Sequence, residues 1–469
     1  MTTSRTSELA GRRILLMNWR DLTHPQAGGA ELYCQEIGER LAAAGVEVHL
    51  VTAAHPDAPV AELVRGVQLH RSGGTFGVYA QSARHLLRHR RHYDAVVDFQ
   101  NGIPFFAPVF AARGTAVVCV IHHVHQEQFA LHYPPRVARL GRLLEGPVSR
   151  RIYGRRPIVV VSASTRAQVR RLLGFTGPIH IVPNGVAVRD APSVRRSATP
   201  IIACVTRLVP QKRLHLLIDM LPGLRARWPE LHVDIAGTGP SQDALAAQVV
   251  QAGLGDVVTL HGRVSDERRN ELLARAWLTV SPSIAEGWGL SIVEANALGL
   301  PSCAFAVPGL RDSIRHGATG WLTPEGGDLQ SSVLQALEQL ADPARAARIA
   351  SACRAWAARF TWEQSTERLA AVLVTEIARS RRGRSRRRTT TDLAVKVELD
   401  VPDVDRARVA QVLLTGLRRT DSWQEDVTGF RLLLHGLDEA EAQDFVLRLG
   451  LPAPRSLAVA RPSELITAI

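Results

Sequence analysis

The sequence lacks the features that mark exported, membrane-spanning or disulfide-linked chains. Its first residues, MTTSRTSELAGRR, contain no apolar signal core, and no apolar run is long enough to cross a bilayer. Its five cysteines are scattered without CxxC spacing, which argues against a disulfide framework or a zinc site. We therefore expect a cytoplasmic protein, either soluble or peripheral at the inner face of a membrane.

Aromatic residues are few, at 5% of the chain, whereas basic residues give a formal net charge of +13. A basic balance fits nucleic acid, an anionic membrane face or phosphorylated ligands. Seven arginines are concentrated in residues 379–388, and no aromatic side chains are interleaved with them. Stacking on single-stranded nucleic acid needs such aromatics, so no nucleic-acid partner is expected.

The 469 residues are too many for a single core. Apolar runs alternate with helical patterns, and a strand, a glycine turn, a helix and a second strand within residues 12–53 indicate a parallel α/β sheet. The predicted domains are a Rossmann-like lobe at 11–190, a second lobe at 197–379, an arginine-rich linker at 380–391 and a small α+β module at 392–469. The predicted strands are 12–19, 46–53, 67–71, 95–99, 116–121, 158–161, 179–183, 201–205, 231–236, 257–260, 278–281, 301–307, 320–322, 393–399, 429–434 and 457–460.

The strongest functional signal is the loop and helix start within residues 284–299. Gly287 and Gly289 carry no Cβ, so the backbone there can come close to a ligand. The first amides of the helix beginning near Leu290 lack helical partners and favour a phosphate. Glu286 precedes this seat and Glu294 lies one turn inside the helix, where each can meet a sugar or ribose hydroxyl. The alternative is an ordinary strand–loop–helix joint with two surface acids.

A second signal is the pair of cations after the strand at 201–205. Arg207 can bind two phosphate oxygens through its fork, and Lys212 acts as a point charge. On a loop that leads into a helix, the pair indicates a diphosphate clamp. A basic surface loop is the alternative.

Three histidines, His122, His123 and His125, follow the strand at 116–121. Side chains at the carboxyl ends of parallel strands line the ligand crevice of open α/β sheets. A solvated loop and a metal site are the alternatives, but no carboxylate or cysteine completes a ligand spacing here. The Asp403-Val404-Asp405 triplet is interpreted as a pair of turn acids, and no metal site is predicted.

The segment EGWGLSIVEA, which begins at Glu286, resembles the donor motif of retaining glycosyltransferases of family 4. Trp288 stands where that family usually has phenylalanine. The resemblance covers about residues 11–380 and implies the GT-B fold, with two Rossmann-like lobes facing a cleft. It also implies a nucleoside-diphosphate sugar as donor, UDP- or GDP-linked, with retention of configuration and no metal or separate cofactor.

The resemblance assigns a role to each motif. Arg207 and Lys212 hold the diphosphate together with the helix amides, Glu286 meets the sugar ring and Glu294 the ribose. His122 lies near the transferred sugar, and His123 is the fallback if the register is off by one. The full predicted set is Gly28, Gly29, His122, Arg207, Lys212, Val264, Glu286, Gly287, Trp288, Gly289, Leu290, Ser291 and Glu294.

The acceptor class stays open between a small molecule, a glycan and a lipid-linked molecule. Residues 133–153 predict a basic amphipathic helix, with Leu140 and Leu143 in its apolar stripe, which can touch an anionic membrane surface. An ordinary surface helix is the alternative. The rival function is an inactive GT-B binding protein that engages a membrane or nucleic acid, but both glutamates and both cations are present. An NAD enzyme is disfavoured because no GxGxxG follows the first strand.

Overall fold

The computed structural model describes residues 4–187, 194–381, 394–417, 421–437 and 439–459. By its internal contacts the chain divides into two compact units. The first comprises Met1–Val161, Thr165–Pro183 and Glu363–Ile469, and the second comprises Ser162–Ser164 and Asn184–Trp362. The predicted C-terminal module thus groups with the N-terminal lobe. Residues 382–391 of the predicted linker lie outside the described residues.

The N-terminal lobe is built on an eight-stranded sheet with the order β3-β4-β2-β1-β5-β6-β7-β8. Its neighbours are parallel except β3 and β4, which pair antiparallel at one edge. The strands β5 and β6 are buried along their whole length, as expected for a parallel sheet covered on both faces. The strands are β1 (Arg13–Met17), β2 (Glu47–Thr52), β3 (Ala61–Val64), β4 (Val67–Arg71), β5 (Ala95–Gln100), β6 (Ala116–Ile121), β7 (Ile158–Val160) and β8 (Ile179–Ile181).

The helices of this lobe include one departure from the sequence prediction. The basic helix expected over 133–153 is interrupted by a π-helical turn at Leu144–Val148, where Pro147 has no amide to donate. Two leucines of its predicted apolar stripe are solvent-exposed, Leu140 by 54% and Leu143 by 48%. The helices are α1 (Gly29–Ala43), α2 (Gly74–Arg88), α3 (Ala107–Phe110), α4 (Gln128–His132), α5 (Pro135–Leu143), α6 (Ser149–Tyr153) and α7 (Ala163–Gln168).

The second unit contains two three-stranded parallel sheets with the orders β11-β10-β9 and β12-β13-β14. The amide of Ala203 on β9 donates to the carbonyl of Leu278 just before β12 at 3.0 Å, which joins the two sheets edge to edge. The strands are β9 (Ile201–Val205), β10 (His232–Ala236), β11 (Val258–Gly262), β12 (Thr279–Ser281), β13 (Ser302–Phe305) and β14 (Gly320–Thr323). The helices are α8 (Leu214–Arg227), α9 (Gln242–Gln251), α10 (Asp266–Arg275), α11 (Leu290–Ala297), α12 (Leu310–Ser313), α13 (Leu329–Leu340) and α14 (Pro343–Ala357).

A long helix, α15 (Trp362–Arg381), belongs to the first unit from Glu363 onward. The Ser365 hydroxyl donates to the carbonyl of Pro183 at 2.7 Å, and the Glu367 carboxylate accepts the amide of Arg5 at 2.7 Å. These bonds attach the helix to both ends of the lobe's sequence.

The C-terminal residues form a four-stranded antiparallel sheet with the order β16-β17-β15-β18. Its elements are β15 (Ala394–Asp400), α16 (Asp403–Gly416), β16 (Ser422–Glu425), β17 (Gly429–His435), α17 (Glu439–Arg448) and β18 (Ser456–Val459). The chain order βαββαβ with these pairings is the ferredoxin-like arrangement. Asp403 and Asp405 lie in the first turn of α16, where acids favour the helix dipole.

The C-terminal module is attached to the N-terminal lobe by polar contacts. Arg166 donates to the carbonyl of Gly436 at 2.6 Å, and Arg368 forms an ion pair with Glu439. Arg368 is only 5% exposed, and the ion pair with Glu439 offsets part of the cost of burying its guanidinium.

Candidate active site

The predicted strand–loop–helix joint is present at the carboxyl end of β12. The strand ends at Ser281 and α11 begins at Leu290, with Gly289 as its N-cap at φ +80°. A Cβ at Gly289 would lie 2.8 Å from the Ser313 hydroxyl, so both its conformation and its surroundings favour glycine. Leu290 and Ser291 are partly exposed at the helix start. The amide of Ile292 donates to the Gly289 carbonyl at 2.9 Å, whereas those of Leu290 and Ser291 precede the first helical acceptor, which suits them to an anion.

The loop before this helix is fixed by backbone contacts to neighbouring loops. The amide of Ile284 donates to the carbonyl of Gln211 at 3.0 Å, and the amide of Glu286 donates to that of Pro308 at 3.0 Å. Gly309, at φ +81°, allows this approach, because a Cβ there would lie 2.3 Å from the Glu286 carbonyl. Loops that follow β9, β12 and β13 therefore pack together at one end of the sheet.

Lys212 and Glu286 form an ion pair at this end of the sheet. Lys212 Nζ lies 2.5 Å from Glu286 Oε1, and the two side chains are 18% and 17% exposed. The predicted phosphate-binding cation is thus in contact with the predicted sugar-binding carboxylate. This juxtaposition connects two motifs that are 74 residues apart.

Arg207 is exposed, on a loop whose path is set by two glycines. Gly237 and Gly239 have positive φ, and a Cβ at each would lie 1.8 and 2.3 Å from the carbonyls of Thr206 and Leu208. The segment 237–240, which superficially resembles a dinucleotide loop, therefore serves the close passage of the Arg207 loop.

Val264 lies in the turn between β11 and α10, at the same end of the sheet. The Gly262 carbonyl accepts the amide of Gly237 at 2.7 Å, and the Ser265 hydroxyl caps α10 by accepting the amide of Arg268 at 3.2 Å. Val264 is partly exposed, and the turn that carries it is held against the Gly237 segment.

Two further members of the motif differ in how they face solvent. Trp288 is 7% exposed and packs edge-on against Phe360, with ring centroids 4.9 Å apart. The aromatic residue of the motif therefore packs into the core. Glu294 lies on α11 and is partly exposed, one turn after Leu290.

Sequence reasoning missed the contribution of Arg213. Its guanidinium donates to the carbonyls of Pro282 and Ser283 at 2.7 and 3.3 Å, and so holds the start of the Glu286 loop. Arg213 itself has φ +46°, which is unusual for a side-chain-bearing residue. The sequence signal for Arg213 is its position directly after Gln211 and Lys212, as the last polar residue before α8.

The first unit carries Gly28, Gly29 and His122. Gly28 is the N-cap of α1, and its amide donates to the buried Glu31 carboxylate at 2.8 Å. The glycine pair follows β1 and His122 follows β6, so both lie at the carboxyl end of the lobe's sheet.

His122 is buried among aromatic rings. Its ring packs edge-on against Tyr33 with centroids 4.9 Å apart and is stacked on Phe99 at 6.2 Å. Burial lowers the pKa of His122 to about 3, so the imidazole is neutral at pH 7. Its Nε2 has no hydrogen-bond partner among the described residues.

The neighbouring histidines have other contacts. His123 Nε2 lies 2.7 Å from Gln128 Nε2. The backbone amide of His125 donates to the buried Glu145 carboxylate at 2.6 Å. Glu145 is therefore a second residue that sequence reasoning missed, and it fixes the loop after His122.

Two family models match the chain in succession. The family described as Glycosyltransferase Family 4 matches residues 27–190, and that described as Glycosyl transferases group 1 matches residues 189–356. The D-inositol 3-phosphate glycosyltransferase of Thermobispora bispora is 28% identical, over 76% of this chain and 92% of that protein. A GDP-mannose-dependent phosphatidylinositol monomannoside mannosyltransferase of Mycolicibacterium smegmatis is 30% identical, over 46% of this chain and 61% of that protein.

Solved structures give the fold. The sucrose-phosphate synthase of Thermosynechococcus elongatus superposes with a TM-score of 0.66 at 21% identity, covering 78% of this chain and 100% of that one. Anabaena HepE in complex with UDP and glucose superposes with a TM-score of 0.58 at 20% identity, with the same coverage. The predicted fold class is confirmed: the chain is a sugar transferase with the GT-B fold, and the models of Glycosyltransferase Family 4 and Glycosyl transferases group 1 together span residues 27–356.

Proposed function

We propose that the protein transfers a hexose from a UDP- or GDP-linked sugar to an acceptor hydroxyl, with retention of configuration and without a metal ion. The observation that carries the proposal is the contact between Lys212 and Glu286, 2.5 Å apart, beside the start of α11. This contact supports the proposal because it joins the cation assigned to the phosphates to the carboxylate assigned to the sugar, a few residues before the start of α11.

In this proposal the diphosphate lies against the amides of Leu290 and Ser291. Lys212 and Arg207 add two positive charges, and the helix start adds about +0.5 of an elementary charge. Donors fixed where charge develops usually supply the largest catalytic effect, and loss of one costs about 10²–10³ in rate. Glu294 accepts a hydrogen bond from the ribose.

The glycines of the donor loop have a supporting role. Gly287 and Gly289 have no side chains to cover the backbone beside the proposed diphosphate, so phosphate oxygens can reach main-chain amides. Trp288 between them anchors the loop through its contact with Phe360. Val264 offers backbone groups to the base, and Gly28 and Gly29 present the start of α1 to the diphosphate.

Glu286 is assigned to the sugar ring. Its carboxylate forms an ion pair with Lys212. Arrival of the diphosphate would draw the ammonium toward the phosphates and leave the carboxylate free to accept sugar hydroxyls. The donor's two halves would then be recognised together.

His122 is assigned to the transferred sugar. A histidine that is neutral at pH 7 can both donate and accept a hydrogen bond, and the buried Nε2 of His122 has no partner among the described residues. Its packing against Tyr33 and Phe99 holds the ring orientation. His123, which contacts Gln128, is the weaker candidate.

For the acceptor we propose an anionic, lipid-linked molecule at a membrane surface. The names of two relatives specify an inositol 3-phosphate and a phosphatidylinositol mannoside acceptor. On α5, Val137, Leu140 and Leu143 are 49%, 54% and 48% exposed, with arginines 136, 139 and 142 between them. Such a face fits an anionic bilayer surface. None of the described helices is both long and apolar enough to cross a bilayer.

The activity is tested by a donor screen that follows release of UDP, GDP or ADP from the respective sugars, with and without EDTA. The anomeric configuration of the product is read by NMR. Turnover that is unchanged in both Glu294→Ala and Lys212→Ala would contradict the site assignment. Loss of turnover in EDTA would contradict metal independence alone.

The membrane surface is tested by co-sedimentation with vesicles that contain phosphatidylinositol or only phosphatidylcholine. Leu140→Asp should reduce binding to the anionic vesicles, because it places a negative charge in an exposed apolar face. Val250→Asp is the matched control, since Val250 is a similarly exposed apolar residue of the second unit, at 76%. Equal binding by the two variants would contradict the assignment of α5.

A further inference from the structure

Three metal-ligating side chains converge on the N-terminal lobe, away from the residues discussed so far. Glu47 and His49 lie at the start of β2, and His92 lies just before β5. Gly28 and His122 follow the carboxyl ends of strands of the same sheet, whereas this group lies at the amino-terminal ends. Among the described residues, it is the one group of three whose candidate ligand atoms all lie within 4.8 Å of one another.

The distances between these side chains match the ligand spacing of a metal site. Glu47 Oε1 lies 3.0 Å from His49 Nε2 and 3.3 Å from His92 Nε2. In a tetrahedral zinc site with bonds of about 2.0–2.1 Å, neighbouring ligand atoms are about 3.3 Å apart. Both imidazoles therefore present the same nitrogen to one carboxylate, at ligand–ligand spacing.

Strand geometry explains why these residues meet. Glu47 and His49 are two apart on β2, so their side chains project from the same face of the sheet. The intervening strand β1 separates β2 from β5, and the His92 ring reaches toward β2 with its centroid 5.6 Å from that of His49. The three side chains are 43%, 19% and 32% exposed, so an ion can enter from solvent.

Tyr93 contacts the ring nitrogen of His49 that faces away from Glu47. The Tyr93 hydroxyl lies 3.2 Å from His49 Nδ1 and 2.8 Å from His85 Nε2, and Tyr93 is 5% exposed. His49 Nδ1–H can donate to this hydroxyl, which in turn donates to His85. Metal-bound histidines commonly donate their second ring N–H in this way, and the bond fixes the ligating nitrogen.

The His92 ring has a competing contact. The Arg13 guanidinium, which can only donate, lies 2.9 Å from His92 Nδ1. Accepting this bond at Nδ1 leaves the single proton of a neutral His92 ring on Nε2, from which it can donate to Glu47. An ion at Nε2 requires that proton on Nδ1, so the exposed Arg13 side chain must move aside.

We propose that Glu47, His49 and His92 bind one Zn²⁺ ion, with water as the fourth ligand. Two imidazoles and a carboxylate in tetrahedral spacing suit zinc, and an ion of higher coordination number would need more oxygen ligands. The ion would connect β2 to the segment before β5 across β1. It would therefore stabilise the lobe and leave the rate of sugar transfer unchanged.

The test uses full-length protein, free of affinity tags and stripped of metal, in Zn²⁺ titrations against a chromogenic chelator. We expect one ion per chain, and at least a tenfold loss of affinity in Glu47→Gln, His49→Ala and His92→Ala. Arg13→Gln should bind Zn²⁺ more tightly than wild type because the competing donor is removed. His70→Ala is the matched control, a β4 histidine outside the group, and should bind as wild type.

Thermal melts separate a binding defect from a folding defect. Zn²⁺ should raise the melting temperature of wild type and of His70→Ala, and should not raise that of His92→Ala. The metal-free melting temperatures should agree among the three. The absence of stoichiometric binding in wild type, equal losses in His70→Ala and His92→Ala, or weaker binding in Arg13→Gln would each overturn the proposal.

Discussion

Replacing Lys212 tests the proposed donor site most directly. Lys212→Ala removes an ammonium whose Nζ lies 2.5 Å from Glu286. A hydrogen bond from a charged group contributes about 1.5–3 kcal/mol, so UDP or GDP should bind about 10–100-fold more weakly. The turnover number kcat should fall by about 10²–10³, because the same charge meets the phosphate that leaves.

Glu286→Gln should change nucleotide binding in the opposite direction. Removing the carboxylate's charge releases Lys212 from its partner, and partly exposed ion pairs are worth about 0–1 kcal/mol. Nucleoside diphosphate without a sugar should therefore bind up to about fivefold more tightly to this variant. Sugar transfer should nevertheless fall, because Glu286 is assigned to the sugar ring.

The assay is calorimetric titration of UDP and GDP into the two variants and a matched control. The chain's other lysine, Lys396, lies in the C-terminal module beside Glu398 at 3.3 Å. Lys396→Ala removes the same side chain and should bind nucleotide as wild type. Lys212 does not hold the diphosphate if Lys212→Ala binds nucleotide as tightly as the control, and the same conclusion follows if Glu286→Gln binds it more weakly than wild type.

Three further outcomes are expected. Burial lowers the pKa of His122 to about 3, whereas the pKa in the unfolded chain is near 6.5. Below pH 6.5 the unfolded state therefore binds a proton that the folded state does not, and the free energy of unfolding falls. Between pH 7.5 and pH 5, His122→Gln should lose about 2 kcal/mol less of this free energy than wild type, as measured by urea unfolding. Gly237→Ala would place a Cβ 1.8 Å from the Thr206 carbonyl, so it should lower both the melting temperature and the affinity for UDP. Gly255→Ala is the control, because Gly255 has open space around it, and should change neither. Glu439→Gln removes the negative charge that pairs with the buried Arg368. The free energy needed to detach the C-terminal module from the lobe should fall by about 1–3 kcal/mol, and limited proteolysis should cleave the module faster than in wild type.

Much of the two lobes could be predicted because buried parallel strands are continuous apolar runs. The predicted strands 67–71, 116–121 and 201–205 coincide with β4, β6 and β9. The missed strand β3 is different, because its residues are largely exposed and it pairs at the sheet edge. Its Leu63 is 69% exposed, so no buried face is visible in its sequence.

The candidate site was predictable as a set of motifs and not as a set of contacts. The start of α11 at Leu290 follows from the glycines that precede it. The pairing of Lys212 with Glu286, and the bonds from Arg213 to the Glu286 loop, depend on how loops after β9 and β12 pack. That packing is decided by glycines such as Gly309, whose role is visible only once the neighbouring carbonyl is located.

The break in the basic helix has a related cause. Pro147 lacks an amide, and the Glu145 carboxylate is fully buried beneath the amide of His125. A helical pattern read from arginines and leucines could not reveal that one acid turns inward to hold a histidine loop. Leu140 and Leu143 lie on α5, directly before this turn, and both are exposed.

The proposed independence from metal can be argued from charge. Lys212, Arg207 and the start of α11, which adds about +0.5, together exceed the charge of the two ionised phosphates of a bound sugar nucleotide. Glu286 offsets one of these charges while the donor is absent. When the sugar leaves, the diphosphate gains negative charge in the place where the cations are already fixed, so the transition state is favoured more than the ground state. A divalent ion at the same place would compete with Lys212 for the phosphate oxygens and would add charge that the cations already supply.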